Sequence, residues 1–363
     1  MKLEPETCNL KPVTLNLTPK QLGYYFPAEF AKHTATWLSW PHKEASWPGK
    51  LDSIYPVYCE FVKYLAKGEK VNINVANAVM KDKAITLLQE AGADLSQIQF
   101  FFHPSDDAWC RDHGPAFLVN PAAVEKKMIV KWKYNAWGGK YPPFELDNQI
   151  PFLIGKYYGI PVVTPGVIME GGSVEFNGKG TLLTTTSCLL NPNRNPQLGK
   201  RDIERYLYDY YGVTHILWLG DGIVGDDTDG HIDDLTRFVN EDTVVTVIEA
   251  SKMDDNYRPL QENLKLLKQM RLENGQQLHV IELPMPSPVM YEGQRLPASY
   301  ANFYIANDHV IVPTYRDKND DKALEQLQRC FPDRQIIGLD SWDIIWGLGS
   351  FHCLSQQEPA VPS

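Results

Sequence analysis

The chain has 363 residues, 43% hydrophobic and 22% charged, with a formal net charge of −10. Such a chain can bury a large core, and its acidic surplus argues against nucleic acid or an anionic membrane as partner, because both are bound through basic surface. No run approaches the roughly 18 apolar residues of a membrane span. The start, Met1 to Thr7, lacks the basic and apolar segments of a signal peptide, so a cytoplasmic location is expected.

In chain order, Thr34–Trp40 and Val71–Val75 read as strands, followed by a helix near 79–92. Short buried strands then recur at Ile98–Phe102, Ile160–Val163, His215–Trp218, Leu278–Glu282 and Arg334–Ile337. They begin roughly 55 to 65 residues apart, a spacing compatible with propeller-like units. Each is followed by a loop, usually a hairpin, then a helix. The hairpins are 115–120 with 128–133, 173–176 with 181–185, 235–239 with 243–248, and 302–306 with 309–313. Asn177-Gly178 and Asn307-Asp308 provide turn residues that hairpins favour. Helices are expected near 145–158, 199–211, 256–272 and 319–329, the third with Leu260, Leu264, Leu267 and Met270 at helical spacing. The fifth unit is split between the ends of the chain. Its hairpin requires Phe351–Ser355 to pair with Thr34–Trp40, which would close the ring and hide both sheet edges.

The residues that open each hairpin carry chemistry. They are Trp109-Cys-Arg-Asp112, Glu170-Gly-Gly172, Gly230-His231-Ile-Asp233, Ser299-Tyr-Ala-Asn302 and His352-Cys353. In a closed ring of five units these positions converge on one axis. Taken singly, each has an ordinary reading: Cys353 as a small hydrophobe, Asp112 as the ion-pair partner of Arg111, Glu170 as a solvated turn carboxylate, His231 as a satisfied core histidine, Asn302 as a backbone cap. Their shared phase in the repeat favours a common site. The six cysteines (8, 59, 110, 188, 330 and 353) form no Cys-x-x-Cys pair. The run Asp226-Asp227-Thr-Asp229-Gly230-His231 fails as a calcium loop, because Gly225 and Thr236 would be its first and last ligands. No metal is therefore expected.

A thiol nucleophile beside three carboxylates is electrostatically awkward unless the substrate brings the cation. A guanidinium does so, with five N–H donors that two carboxylates can bind side-on. Trp109 can add a cation–π face or simply pack in the core. The expected ligand is a small cationic guanidino compound.

The motifs Trp109-Cys-Arg-Asp112-x-Gly114-Pro115, Glu170-Gly-Gly172, Asp226-Asp-Thr-Asp-Gly-His231-Ile-Asp233, Ser299-Tyr-x-Asn302-Phe303 and His352-Cys353-x-x-Gln356-Gln357 resemble those of agmatine deiminases. These, with bacterial peptidylarginine deiminases, belong to the guanidino-group-modifying superfamily. The resemblance spans nearly the whole chain. It implies an α/β fold, a five-bladed α/β propeller of ββαβ-type modules, as one domain over residues 1–363. It further implies that Cys353 attacks the guanidinium carbon, that His231 protonates ammonia and then activates water, and that Asp112 and Asp233 hold the guanidinium with Glu170 beside them. Asp227, Asn302 and Trp109 complete the expected substrate contacts. The products would be N-carbamoylputrescine and ammonia, formed without metal or organic cofactor in a step of putrescine and polyamine synthesis, and a homodimer is the family's expectation. Deimination of peptidylarginine or another guanidine is the alternative, with amidino transfer or guanidine binding without catalysis more remote. The chain departs from the family pattern at Gly347-Leu-Gly-Ser-Phe-His352, where Gly-Gly-Gly-Asn-Ile-His is usual, and at Cys110 and His113, where Met and Thr are usual.

Overall fold

The computed structural model describes residues 17–362, so the N-terminal segment and Cys8 lie outside the described residues. β1 (His33–Ser39), β2 (Lys70–Asn74) and β3 (Ile98–Phe101) form a parallel set. Four further sets share one plan. An antiparallel hairpin is followed by a helix, and the helix returns the chain to a third strand parallel to the second. These are β4 (Ala116–Val119), β5 (Lys127–Val130) and β6 (Val162–Val163), then β7 (Val174–Phe176), β8 (Thr181–Thr185) and β9 (His215–Leu219). Next come β10 (Thr236–Phe238), β11 (Thr243–Ile248) and β12 (His279–Pro284). A detached hairpin, β13 (Met290–Tyr291) with β14 (Gln294–Arg295), precedes β15 (Tyr304–Ile305), β16 (His309–Thr314) and β17 (Gln335–Asp340). A parallel return needs a crossover, and helices Ile150–Tyr158, Lys200–Tyr211, Tyr257–Leu267 and Asp320–Cys330 supply it. Finally β18 (Ser355–Pro359) pairs antiparallel with β1, His33 opposite Pro359 and Leu38 opposite Ser355. The chain is thus a mixed α/β structure of several small sheets.

Three sequence expectations are corrected. Each strand expected to open a unit instead completes the preceding sheet, so the structural unit runs hairpin, helix, strand. Periodicity finds strands but not which neighbour they join. The C-terminal strand is Ser355–Pro359 rather than Phe351–Ser355: residues 351–354 form a turn, closed by Leu354 N–H donating to the Ser350 carbonyl (3.1 Å). Helix Leu51–Gly68 lies outside the expected elements and carries Pro56 within it. It forms because Ile54, Tyr58, Phe61, Val62 and Leu65 recur on one face and are buried there. Of the expected helical stripe, Leu260, Leu264 and Leu267 are buried, whereas Met270 lies beyond the helix end.

The hairpins of the four like sheets, and β18, are each preceded by a tight turn: helical at Cys110–His113, 3-10 at Gly171–Ser173 and Ile232–Asp234, and non-repetitive at 300–301 and 351–354. Turns at one end of short buried strands are where side chains can meet without occupying the sheet.

Candidate active site

Those turns bring Asp112, Glu170, His231, Asp233 and Cys353 together, all of them buried. His231 is the hub. Its Nδ1 lies 3.8 Å from Asp112 Oδ1 and 3.9 Å from Asp233 Oδ1, and its Nε2 lies 3.9 Å from Glu170 Oε2. Gly172 allows this approach, since a Cβ there would sit 2.5 Å from His231 Nδ1. The Gly172 N–H instead donates to Asp112 Oδ1 at 2.9 Å. Trp137 Nε1–H donates to Asp112 Oδ2 at 2.9 Å, from a backbone held at φ +54°, an uncommon region for a bulky residue.

Cys353 Sγ lies 3.6 Å from Asp233 Oδ2 and accepts from Asn302 Nδ2 at 3.0 Å. Asn302 donates its other N–H to Asp234 Oδ1 (2.9 Å), and its Oδ1 accepts from the N–H groups of Ser350 (3.2 Å) and Cys353 (3.3 Å). Its amide is therefore fully used in shaping the cysteine turn. Asp233 Oδ2 is held by His352 Nδ1 at 2.6 Å, and His352 Nε2 reaches Glu29 Oε2 at 2.8 Å. Glu29 in turn pairs with Arg111 and Arg237, each at 2.8 Å. The anticipated Arg111–Asp112 ion pair is absent among the described residues, because Arg111 turns away to Glu29 and Gln357.

Four polar atoms in this buried cluster are conspicuous. Both ring nitrogens of His231, Asp233 Oδ1 and Glu170 Oε2 have no hydrogen-bond partner among the described residues. Buried polar atoms are rarely left so, and here His231 Nδ1 faces Asp233 Oδ1 while His231 Nε2 faces Glu170 Oε2.

The electrostatics follow from this crowding. Burial pushes the Asp112 carboxyl up to about 6; His231 opposes the shift, while Asp233 and Glu170 reinforce it. Burial would lower His231, but Asp112, Cys188 and Glu170 outweigh it and hold the imidazole well above its ordinary range. Burial likewise opposes ionisation of Glu170 and Asp233, yet Arg194 keeps the first low and His352 the second. The Cys353 thiol is pushed far up by burial and then by Asp233, Asp234 and Asp112. At neutral pH the resting site therefore pairs a thiol with an imidazolium.

A cleft of about 290 Å³ leads to this cluster, lined in part by Trp109, Asp112, Trp137, Asp227, Leu348 and Cys353. Trp109 both lines it and packs on Trp47, with ring centroids 5.0 Å apart. Asp227 is exposed at the cleft and accepts from the Tyr141 hydroxyl; it stands apart from the buried cluster. Leu348 takes φ +69°, a conformation that favours glycine, at a position where the family pattern carries glycine. Asp226 shapes the loop before His231, its Oδ2 accepting from the N–H groups of Gly230 (3.0 Å) and His231 (3.1 Å).

Sequence reasoning missed Glu29, His352, Arg194, Arg237 and Trp137. His352 adjoins Cys353 and was legible as a neighbour, but Glu29 sits alone in an apolar stretch with no local signal.

The profile of the Porphyromonas-type peptidyl-arginine deiminase family matches residues 25–359. A Legionella pneumophila protein provisionally named an agmatine deiminase is 37% identical over 350 residues, 96% of this chain and 98% of its own. Among solved structures, the agmatine deiminase of Enterococcus faecalis superposes with a TM-score of 0.88 at 33% identity, covering 96% of this chain and 99% of its own. A cysteine-to-serine form of the C. jejuni agmatine deiminase with substrate bound gives 0.84 at 34% identity, covering 93% and 97%. The chain belongs to the peptidyl-arginine deiminase family of the Porphyromonas type, alongside the agmatine deiminases.

Proposed function

We propose that this protein hydrolyses agmatine to N-carbamoylputrescine and ammonia. The observation that carries the proposal is the set of partnerless buried atoms on His231, Asp233 and Glu170 beside the Cys353 sulfur. The partnerless carboxylate oxygens of Asp233 and Glu170, in a strongly acidic buried site, are complementary to a planar cation rich in N–H groups.

The guanidinium lies between Asp112 and Asp233, and its charge offsets the carboxylates that hold the Cys353 proton in place, so on substrate binding that proton passes to solvent and the thiolate forms. Sγ bonds to the guanidinium carbon, His231 gives its proton to one amino group, and ammonia leaves. The neutral imidazole then takes a proton from water as the water oxygen bonds to the same carbon. The C–S bond breaks, and the thiolate and a urea-type product are released. Two displacements replace one difficult hydrolysis. Asp227 at the cleft offers a carboxylate to the distal amine of a short diamine-like tail, and Trp109 offers an aromatic wall to the chain.

We read the five like sheets as blades of a closed α/β propeller and the whole as one working unit; β18 pairing with β1 and the convergence of the five turns support this. An experimental structure in which the sheets did not ring the Cys353 turn would remove it. We further propose a cytoplasmic homodimer, to be checked by cell fractionation and sedimentation. The substrate is tested by measuring ammonia release from agmatine, arginine and a blocked arginine peptide side by side. Agmatine should be preferred, and preference for the peptide would move the assignment to the peptidylarginine alternative.

A further inference from the structure

Beside His231 and Glu170 lies a second thiol, Cys188. One donor atom each from Glu170, Cys188 and His231 lies within 4.8 Å of the others, and all three side chains are wholly buried. His231 Nε2 and Glu170 Oε2, 3.9 Å apart, have no hydrogen-bond partner among the described residues. The other Glu170 oxygen is fixed by Arg194 Nε at 2.7 Å, so the free one has a set direction. Cys188 is set by the helical turn Thr186–Leu189, its N–H donating to Thr185 Oγ1 at 3.3 Å.

We propose that Glu170, Cys188 and His231 form an inhibitory site for a soft divalent cation of the zinc class. The donor set decides the class: a thiolate and an imidazole suit zinc and cadmium, whereas magnesium and calcium take oxygen ligands. Tetrahedral zinc bonds of about 2.0–2.1 Å place neighbouring N and O ligands roughly 3.4 Å apart. The observed 3.9 Å needs only a small side-chain movement to meet that. On binding, Cys188 and the imidazolium Nε2 of His231 each release a proton to solvent, the S–metal and N–metal bonds form, and His231 keeps its remaining proton on Nδ1. A ring in that state can neither take up a second proton nor give up its last one near neutral pH. It can then neither protonate ammonia nor activate water. The inhibition rests on the proposed acid–base role of His231; the binding does not.

The test therefore separates the two. The Cys353→Ser protein, which lacks the nucleophile as a competing ligand, is titrated with Cd²⁺ while the thiolate-to-cadmium absorption is followed, and with Zn²⁺ by calorimetry. One equivalent should bind, and adding Cys188→Ala should weaken binding by more than about tenfold, at least the loss seen for outer-shell partners. With Cys353 present, Cys188→Ala should retain measurable ammonia release without metal, and that activity should resist Zn²⁺ by a similar factor. Cys188→Ser is the second variant, with melting temperatures confirming that both fold. Unchanged binding after loss of Cys188, or binding that requires Cys353, overturns the site. Binding without inhibition keeps the site and overturns the role of His231.

Discussion

Replacing Asp112 by Asn probes the cluster most sharply, because the two oxygens of Asp112 already accept from Gly172 N–H and Trp137 Nε1–H, both at 2.9 Å. In either orientation the new amide turns an N–H toward one of these donors, and the negative charge beside the guanidinium is lost. Truncating one partner of a buried charge pair costs about 2–5 kcal/mol, so kcat/KM for agmatine should fall roughly 30-fold to several-thousand-fold. Stability should change little. One hydrogen bond becomes a clash, worth about 1–3 kcal/mol, but a carboxylate whose ionisation burial opposes is also removed. A second signature lies in pH. Ionisation of Asp112 near 6 should give the wild-type profile a rising limb there, and the variant should lack it. His231, relieved of the first charge that raises it, should titrate lower. The assay is ammonia release across pH, alongside a melting curve. Near-normal kcat/KM in a folded variant would refute the argument, because it would leave Asp112 as scaffolding.

Cys353→Ser should abolish turnover while the protein stays folded, and acid-quenched wild type should carry its substrate adduct on Cys353 by mass spectrometry; an adduct on Cys110 would reassign the nucleophile. Dialysis against EDTA should leave activity undiminished, and loss restored by a divalent ion would mean that the His231 surroundings hold a working metal. Glu29→Ala leaves Arg111 and Arg237 buried without their shared carboxylate. It should lower unfolding free energy by about 3–5 kcal/mol in denaturant titrations. Burial holds His113 at about 3 and His103 at about 4 in the fold, below their unfolded values. The neutral rings therefore contribute stability above roughly pH 6.5 that is lost as pH falls toward 4. His113→Phe should flatten that part of the melting-temperature profile, and an unchanged slope would exclude His113 as its source.

The sequence by itself determined the local and the periodic. Strands and helices were legible because one-sided burial imposes periods of 2 and 3.6 on the chain. The site residues were legible because each opens a hairpin at the same phase: Asp112 before β4, Glu170 before β7, His231 and Asp233 before β10, Asn302 before β15, Cys353 before β18. Tertiary structure decided what depends on a partner far away in sequence. Only there does Arg111 leave its neighbour Asp112 for Glu29, 82 residues distant. Only there does His352 bridge Asp233 to Glu29, and Asn302 spend its amide on the cysteine turn. Hydrophobic burial repeats at short range and leaves its mark in composition. A buried charge chooses its partner by proximity and desolvation in the folded interior, and a single residue such as Glu29 carries no trace of that choice.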